Sequence, residues 1–86
     1  MDVQRMRESV EEVRERGRRA FAEASSREEL EAAQVSVLGR KSRLAEVQRS
    51  LGSLDPEERK DLGRIVNEVR AELEGAASRR REELES

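Results

Sequence analysis

Five basic side chains in the middle of the chain have the chemistry and the spacing to bind a polyanion. The five are Arg40, Lys41, Arg43, Arg64 and Arg70. Guanidinium and ammonium groups bind phosphate oxygens, which position a nucleic acid without reading its sequence. Gly39 precedes the first pair and permits a close backbone approach. If the chain turns back on itself near residues 52–55, Arg40, Lys41 and Arg43 lie across from Arg64 and Arg70, and each of the five is a candidate phosphate contact.

The charge distribution supports this prediction. Residues 38–70 carry a net charge of +2, whereas residues 1–37 and residues 71–86 each carry −2. A positive middle on an acidic chain suits a polyanion that approaches from the side. A competing interpretation is that Lys and Arg only solubilise an exposed coiled coil, because a run of charge is usually a solvated face.

Most catalytic chemistry is excluded by composition. The chain has no Cys and no His, which rules out disulfides, Cys/His zinc sites, thiol nucleophiles and His acid–base catalysis. It has no phosphate-cradling glycine loop, no metal-ligand cluster and no nucleophile–base pair. We therefore expect no catalytic residue, no metal site and no cofactor within these residues. No apolar run approaches a membrane span and no secretory signal is present, so the expected location is the cytoplasm, without membrane contact.

The composition favours helices packed along a seam over a globule. Only 34% of the residues are hydrophobic, 44% are charged, and Phe21 is the sole aromatic residue. Disorder is the competing interpretation of such a composition. The apolar residues are nevertheless strongly periodic, alternating by three and four, which is typical of coiled coils. We predict an all-α protein.

Three helical segments follow from this periodicity. Residues 1–24 form an N-terminal helix, and residues 25–86 form a long antiparallel α-hairpin, a two-stranded coiled coil with its turn near 52–55. Ser25 and Ser26 offer overlapping capping boxes for the second helix. Asp55 and Pro56 are typical of the cap and first turn of the third. In each segment the apolar residues spaced by three and four form a stripe along one helix face. The stripe of the second segment runs from Leu30 to Leu51 and predicts one continuous helix, with Arg40 at a core-type position.

The hairpin is predicted to be roughly 35–45 Å long, from the rise of an α-helix. The path of the N-terminal helix is left open, because it either folds back as a third helix or pairs with another subunit. Asn67 is a candidate for fixing the hairpin register, as buried polar residues do in coiled coils.

Two stretches, VSVLGRKSRL and LGSLDPEERKDLGRIVNEV, resemble the N-terminal arm of the bacterial phenylalanyl-tRNA synthetase α subunit. That family shows a pattern of the form V-x-Y-L-G-K-K-G-x-L, then L-x-x-L-x-P-E-E-R, then a glycine and an asparagine. The matching residues are Val35, Leu38, Gly39, Arg40, Lys41, Leu44, Leu51, Leu54, Pro56, Glu57, Glu58, Arg59, Gly63 and Asn67.

Two positions depart from the pattern. Val37 replaces the usual aromatic residue, which removes any stacking contact there. Ser42 replaces the usual glycine and should stiffen the chain locally, because glycine loses more conformational entropy on folding.

The resemblance implies a tRNA-binding arm, a long α-hairpin that contacts the outer side of tRNA. It implies as partners the synthetase β subunit and a second α subunit in an (αβ)₂ tetramer. ATP and Mg²⁺ would be cofactors of the full-length enzyme, whose catalytic domain would follow Ser86. The alternative function is a structural or oligomerising coiled coil, which the regular stripe of the N-terminal helix and possible self-association keep open.

Overall fold

The computed structural model describes residues 2–86, which form four α-helices and one short 3₁₀ turn. The α-helices are α1 (Val3–Glu23), α2 (Arg27–Leu38), α3 (Arg43–Ser50) and α4 (Pro56–Glu85), and the 3₁₀ turn covers Leu51–Ser53. These residues contain no strand, so the predicted all-α class is confirmed. None of the described helices is both long and apolar enough to cross a bilayer.

The helices pack as a hairpin with a third helix alongside. Helices α1 and α4 are parallel, because residue numbers rise together in the contacts between them. Arg7 pairs with Asp61, Arg14 pairs with Glu72, and Arg80 donates a hydrogen bond to the Ala24 carbonyl. The segment formed by α2 and α3 runs antiparallel to both. The bundle measures 46 × 18 × 17 Å, which confirms the elongated hairpin. The N-terminal helix, whose path the sequence left open, folds back onto the hairpin.

One apolar core joins all the α-helices. Its side chains come from the apolar stripes of the three predicted helical segments. Apart from Phe21 and Met6, the buried apolar side chains are aliphatic and of small or medium size. The largest fully buried side chains are Met6, Val10, Phe21, Leu30, Leu44, Val47, Leu62, Val66 and Leu73. Because residues from both predicted segments share this core, α1 is part of the bundle that carries the hairpin.

The predicted caps form as the sequence indicated. Ser26 accepts a hydrogen bond from the Glu29 amide at 3.1 Å, and the Glu29 carboxylate accepts hydrogen bonds from the Ser25 amide and hydroxyl. Asp55 accepts a hydrogen bond from the Glu58 amide at 3.0 Å, and Pro56 occupies the first turn of α4. These caps supply acceptors for the free amides at the helix N-termini.

The prediction of one continuous second helix was wrong. Residues 39–42 interrupt it, and Gly39 leaves α2 in an extended conformation. A Cβ at Gly39 would overlap the Val35 carbonyl oxygen, so glycine is required at this close approach. Arg40 consequently lies outside the helical seam and is exposed. Asn67 is also exposed, which contradicts the prediction of a buried register residue.

A second glycine permits close packing of three helices. Gly17 of α1 is buried, and a Cβ there would lie 2.8 Å from Leu73 Cδ2 and 3.0 Å from Val37 Cγ1. Leu73 is fully buried and the β-branched Val37 is stiff, so neither side chain yields easily. The absence of a side chain at Gly17 therefore sets the distance at which α1 meets α2 and α4.

Replacing Gly17 with alanine should destabilise the protein although alanine favours helix. We expect the Gly17→Ala variant to lose up to about 2 kcal/mol, because overpacking costs about 1–3 kcal/mol and the gain in helix propensity offsets about 1 kcal/mol. Urea unfolding followed by circular dichroism measures the change. Gly75→Ala is the matched control, since its Cβ would meet only the end of Arg79 at 3.5 Å. That control should gain about 0.5–1 kcal/mol. Equal gains in the two variants would contradict the close-packing interpretation.

Ion pairs link α1 to α4 outside the core. Arg14 donates to both carboxylate oxygens of Glu72, at 2.7 and 3.2 Å, and Arg18 lies 3.7 Å from the same carboxylate. The hydrogen bonds from Arg14 are the main reason that the pKa of Glu72 lies below its usual value. The carboxylate therefore binds its proton less readily in the folded protein than in the unfolded chain.

The Glu72 contribution should disappear in acid. A depressed folded-state pKa stabilises the protein above the unfolded-state pKa, and this stabilisation is lost as the pH falls through the folded-state pKa. We expect Glu72→Gln to lower Tm at pH 7, and the difference from the parent to shrink progressively as the pH falls below the usual glutamate range. Thermal melts across this pH range test the prediction. Glu74→Gln is the control, because Glu74 is exposed and forms no ion pair among residues 2–86. A difference for Glu72→Gln that does not shrink as the pH falls below the usual glutamate range would contradict it.

Candidate nucleic-acid interface

The interruption of the second helix creates a shallow basic groove between α3 and α4. The turn at residues 39–42, which we call the basic turn, forms one wall of the groove. The lining residues are Leu38, Gly39, Arg40, Ala45, Gln48, Arg49 and Arg70. Three of them are arginines and none carries a carboxylate. The groove therefore offers positive charge and hydrogen-bond donors without a competing internal anion.

Two arginines are anchored to the wall of this groove. Arg70 donates to the Leu38 carbonyl at 3.4 Å and to Gln48 Oε1 at 3.2 Å. Arg49 donates to the Arg40 carbonyl at 3.0 Å. A guanidinium has five N–H donors, so each anchored arginine keeps donors for an incoming oxygen. Neither arginine forms an ion pair within residues 2–86.

The basic turn itself presents two exposed cations. Arg40 and Lys41 are exposed, and within the described chain neither side chain forms an ion pair or donates a hydrogen bond. Both follow Gly39, as the sequence indicated. Of the predicted set of five, Arg40 and Arg70 line the groove, and Lys41 follows Arg40 in the basic turn without lining the groove.

Arg43 lies in a different groove. It is the first residue of α3 and faces α1, where it lines a depression together with Glu12, Arg16 and Val37. Glu8 and Glu12 also lie beside it, so its surroundings have mixed charge. Arg43 and Arg70 therefore line different depressions, because the chain turns between Arg40 and Arg43.

Arg64 is separated from the groove and already paired. Its guanidinium donates to Asp61 at 2.7 Å and to Glu68 at 3.3 Å. These carboxylates, Asp61 first, raise the pKa of Arg64. The two carboxylates also offset the positive charge that Arg64 would present to a phosphate. Arg64 lines a depression with Val3 and Arg7 of α1, so it too lies outside the groove that Arg70 lines.

Sequence reasoning missed Arg49. Its position on the groove depends on where α3 begins, and a continuous second helix would have placed it on another side. The available signal was Gly39 followed by Ser42, a helix stop followed by a good N-cap. Ser42 indeed accepts a hydrogen bond from the Ala45 amide at 3.2 Å and begins α3.

The described residues offer no alternative chemistry in this groove. No group of three or more Asp or Glu side chains could hold a metal ion within residues 2–86. The one aromatic ring, Phe21, is only 1% exposed and cannot stack on a base. Cations without aromatic neighbours suit contacts with the sugar–phosphate backbone.

Comparison with known proteins places this bundle in a family. The model of the family described as the N-terminal domain of class II aminoacyl-tRNA synthetases matches residues 25–86, which span α2 to α4. The phenylalanine–tRNA ligase α subunit of Moorella thermoacetica is 47% identical over 79 residues, which are 92% of this chain and 23% of that protein. The α subunit from Levilactobacillus brevis is 37% identical over 81 residues, 94% of this chain and 23% of that protein.

The chain thus spans less than a quarter of the length of these two relatives. No solved structure matches it. The family model covers most of the chain, including the basic turn, the caps of α2 and α4 and the helical hairpin itself. On this match, the chain belongs to the family of class II aminoacyl-tRNA synthetase N-terminal domains.

Proposed function

We propose that this chain is a tRNA-binding arm of a phenylalanine–tRNA ligase α subunit. Its role is to position tRNA for phenylalanylation, which a catalytic domain outside these residues performs. The observation that carries the proposal is the groove beside the basic turn, with three arginines and no carboxylate, in a chain of this family. Phosphate contacts of this kind hold a nucleic acid in place without reading its sequence.

The whole enzyme would supply the remaining parts. The partners we propose are the synthetase β subunit and a second α subunit in an (αβ)₂ tetramer in the cytoplasm, with ATP and Mg²⁺ bound by the catalytic domain. The similarity to phenylalanine–tRNA ligase α subunits supports this assignment. The tRNA contacts we assign to this chain are Arg40, Lys41, Arg49 and Arg70, with Arg43 and Arg64 outside the central groove.

The alternative function, an oligomerising coiled coil, loses its main support. That alternative rested on the apolar stripe of the N-terminal helix, which had no assigned partner in the sequence. In the bundle this stripe is buried within the same chain, with Met6 fully buried and Val10 and Phe21 each 1% exposed. A concentration-dependent dimer without salt-sensitive tRNA binding would nevertheless restore the alternative.

Reversing the charge of the basic turn tests the proposal directly. We expect the double variant Arg40→Glu, Lys41→Glu to bind a phenylalanine tRNA transcript at least tenfold more weakly at low salt. The slope of log K against log salt should also fall by about 2, since each lost phosphate contact lowers it by about 1. Fluorescence anisotropy over a salt series measures both quantities. Circular dichroism should show unchanged helicity, because neither side chain makes a hydrogen bond within residues 2–86.

The matched control is Arg19→Glu, Arg27→Glu, which changes the net charge equally. Both arginines are exposed, and neither takes part in an ion pair or side-chain hydrogen bond in the described chain. This variant should keep most of the tRNA affinity. Equal losses in the two variants would indicate binding by overall charge alone, and no loss in the first would show that the groove is not the tRNA site.

A further inference from the structure

The backbone of the basic turn is held by side chains at three consecutive carbonyl groups. Arg70 donates to the Leu38 carbonyl at 3.4 Å, the Ser42 hydroxyl donates to the Gly39 carbonyl at 2.7 Å, and Arg49 donates to the Arg40 carbonyl at 3.0 Å. Such carbonyls, freed where a helix ends, otherwise bind water or fluctuate. The three donors come from α4, from the end of the turn itself and from α3, so the turn is held by both helices that flank the groove.

Ser42 has the central position among these contacts. Its hydroxyl donates to the Gly39 carbonyl and accepts from the Ala45 amide at 3.2 Å, and its own amide also donates to the Gly39 carbonyl. The residue is only 5% exposed, so it does not face an approaching ligand. One side chain therefore closes the turn and starts α3. The exposed pair Arg40 and Lys41 lies between Gly39 and Ser42, which the hydroxyl hydrogen bond connects.

We propose that Ser42 is a positioning residue for RNA binding, which holds the basic turn in its binding conformation before the RNA arrives. This inference rests on the proposed function and adds to it a residue that touches no RNA. Ordering a flexible segment on binding reduces affinity, and a segment that is already ordered avoids that loss. Ser42 thereby raises affinity without supplying a phosphate contact.

The proposal predicts that losing the Ser42 hydroxyl lowers the RNA affinity but leaves the number of ionic contacts unchanged. Losing the Ser42 hydroxyl leaves Arg40, Lys41, Arg49 and Arg70 present and equally charged. Bound RNA would still meet the same cations, so the same number of counterions would be released. The affinity should fall while its salt dependence stays unchanged, which differs from the result of removing a contacting cation.

The test compares Ser42→Gly with Ser42→Thr in this chain. We expect Ser42→Gly to bind a phenylalanine tRNA transcript about five- to tenfold more weakly, with the parent's salt slope. Threonine keeps a hydroxyl that can cap the helix, so Ser42→Thr should restore most of the affinity. Amide hydrogen exchange at residues 39–43 should be faster in Ser42→Gly than in the parent or in Ser42→Thr.

Ser26→Gly controls for a general loss of stability. Ser26 caps α2 through the same kind of hydroxyl–amide hydrogen bond, at 3.1 Å to the Glu29 amide, and lies outside the groove. All binding is measured at a temperature where each variant is fully helical. Ser26→Gly should bind RNA as the parent does, and an equal loss in both glycine variants would overturn the positioning role.

The outcomes also separate this inference from the proposed function. If Arg40→Glu, Lys41→Glu abolishes binding but Ser42→Gly binds as the parent does, the positioning role is overturned and the arm remains a tRNA-binding module. If neither variant changes binding, the groove is not the RNA site and both proposals fail. A reduced salt slope in Ser42→Gly would show that cations are lost from the contact, which also overturns the positioning role.

Discussion

Where α2 ends, the carbonyls of Leu38, Gly39 and Arg40 need hydrogen-bond donors other than helical amides. The chain meets this requirement mainly with Arg70, Ser42 and Arg49. Two of these donors are arginines, and both line the groove that lacks a carboxylate. The same hydrogen bonds therefore hold the interrupted helix against its neighbours and keep positive charge at the surface. The local hydrogen bonding of this segment and the positive charge of the groove therefore depend on the same two arginines.

The low apolar content limits how the rest of the molecule can pack. A two-helix seam would leave much of each stripe exposed, whereas the third helix buries Met6, Val10 and Phe21 within the same core. Gly17 allows α1 to approach Val37 and Leu73 closely, which improves contact between side chains of modest size. At the surface, Arg14 and Glu72 connect α1 to α4. The groove between α3 and α4 is thereby supported by a core to which α1 also contributes.

The family membership and the groove constrain function in different ways. Membership in the class II aminoacyl-tRNA synthetase N-terminal domains indicates the setting in which the bundle works. Under the proposed function, the groove is the surface that would meet a nucleic acid, through its three arginines. The lack of an exposed aromatic ring and the clustering of arginines favour recognition of the phosphate backbone over recognition of bases.

Local chemistry in the sequence was sufficient to predict the helices and their caps. Ser26, Asp55 and Pro56 act through neighbours three or four residues away, and the spacing of apolar residues reports which face is buried. The all-α class and the antiparallel hairpin followed from these signals. The interruption at residues 39–42 was missed because the apolar spacing continues across it, from Val37 to Leu44, as though the helix were unbroken.

The sequence by itself thus determined the helical class, the caps, the burial stripes and the basic character of the middle of the chain, all of which depend on residues close in sequence. Only the tertiary structure decided that α1 is the third helix of the bundle and that Arg49 joins Arg40 and Arg70. It also placed Arg43 beside α1 and Arg64 between two carboxylates. The direction of an exposed arginine depends on helix rotation and on the residue at which each helix restarts, and contacts between distant residues set both.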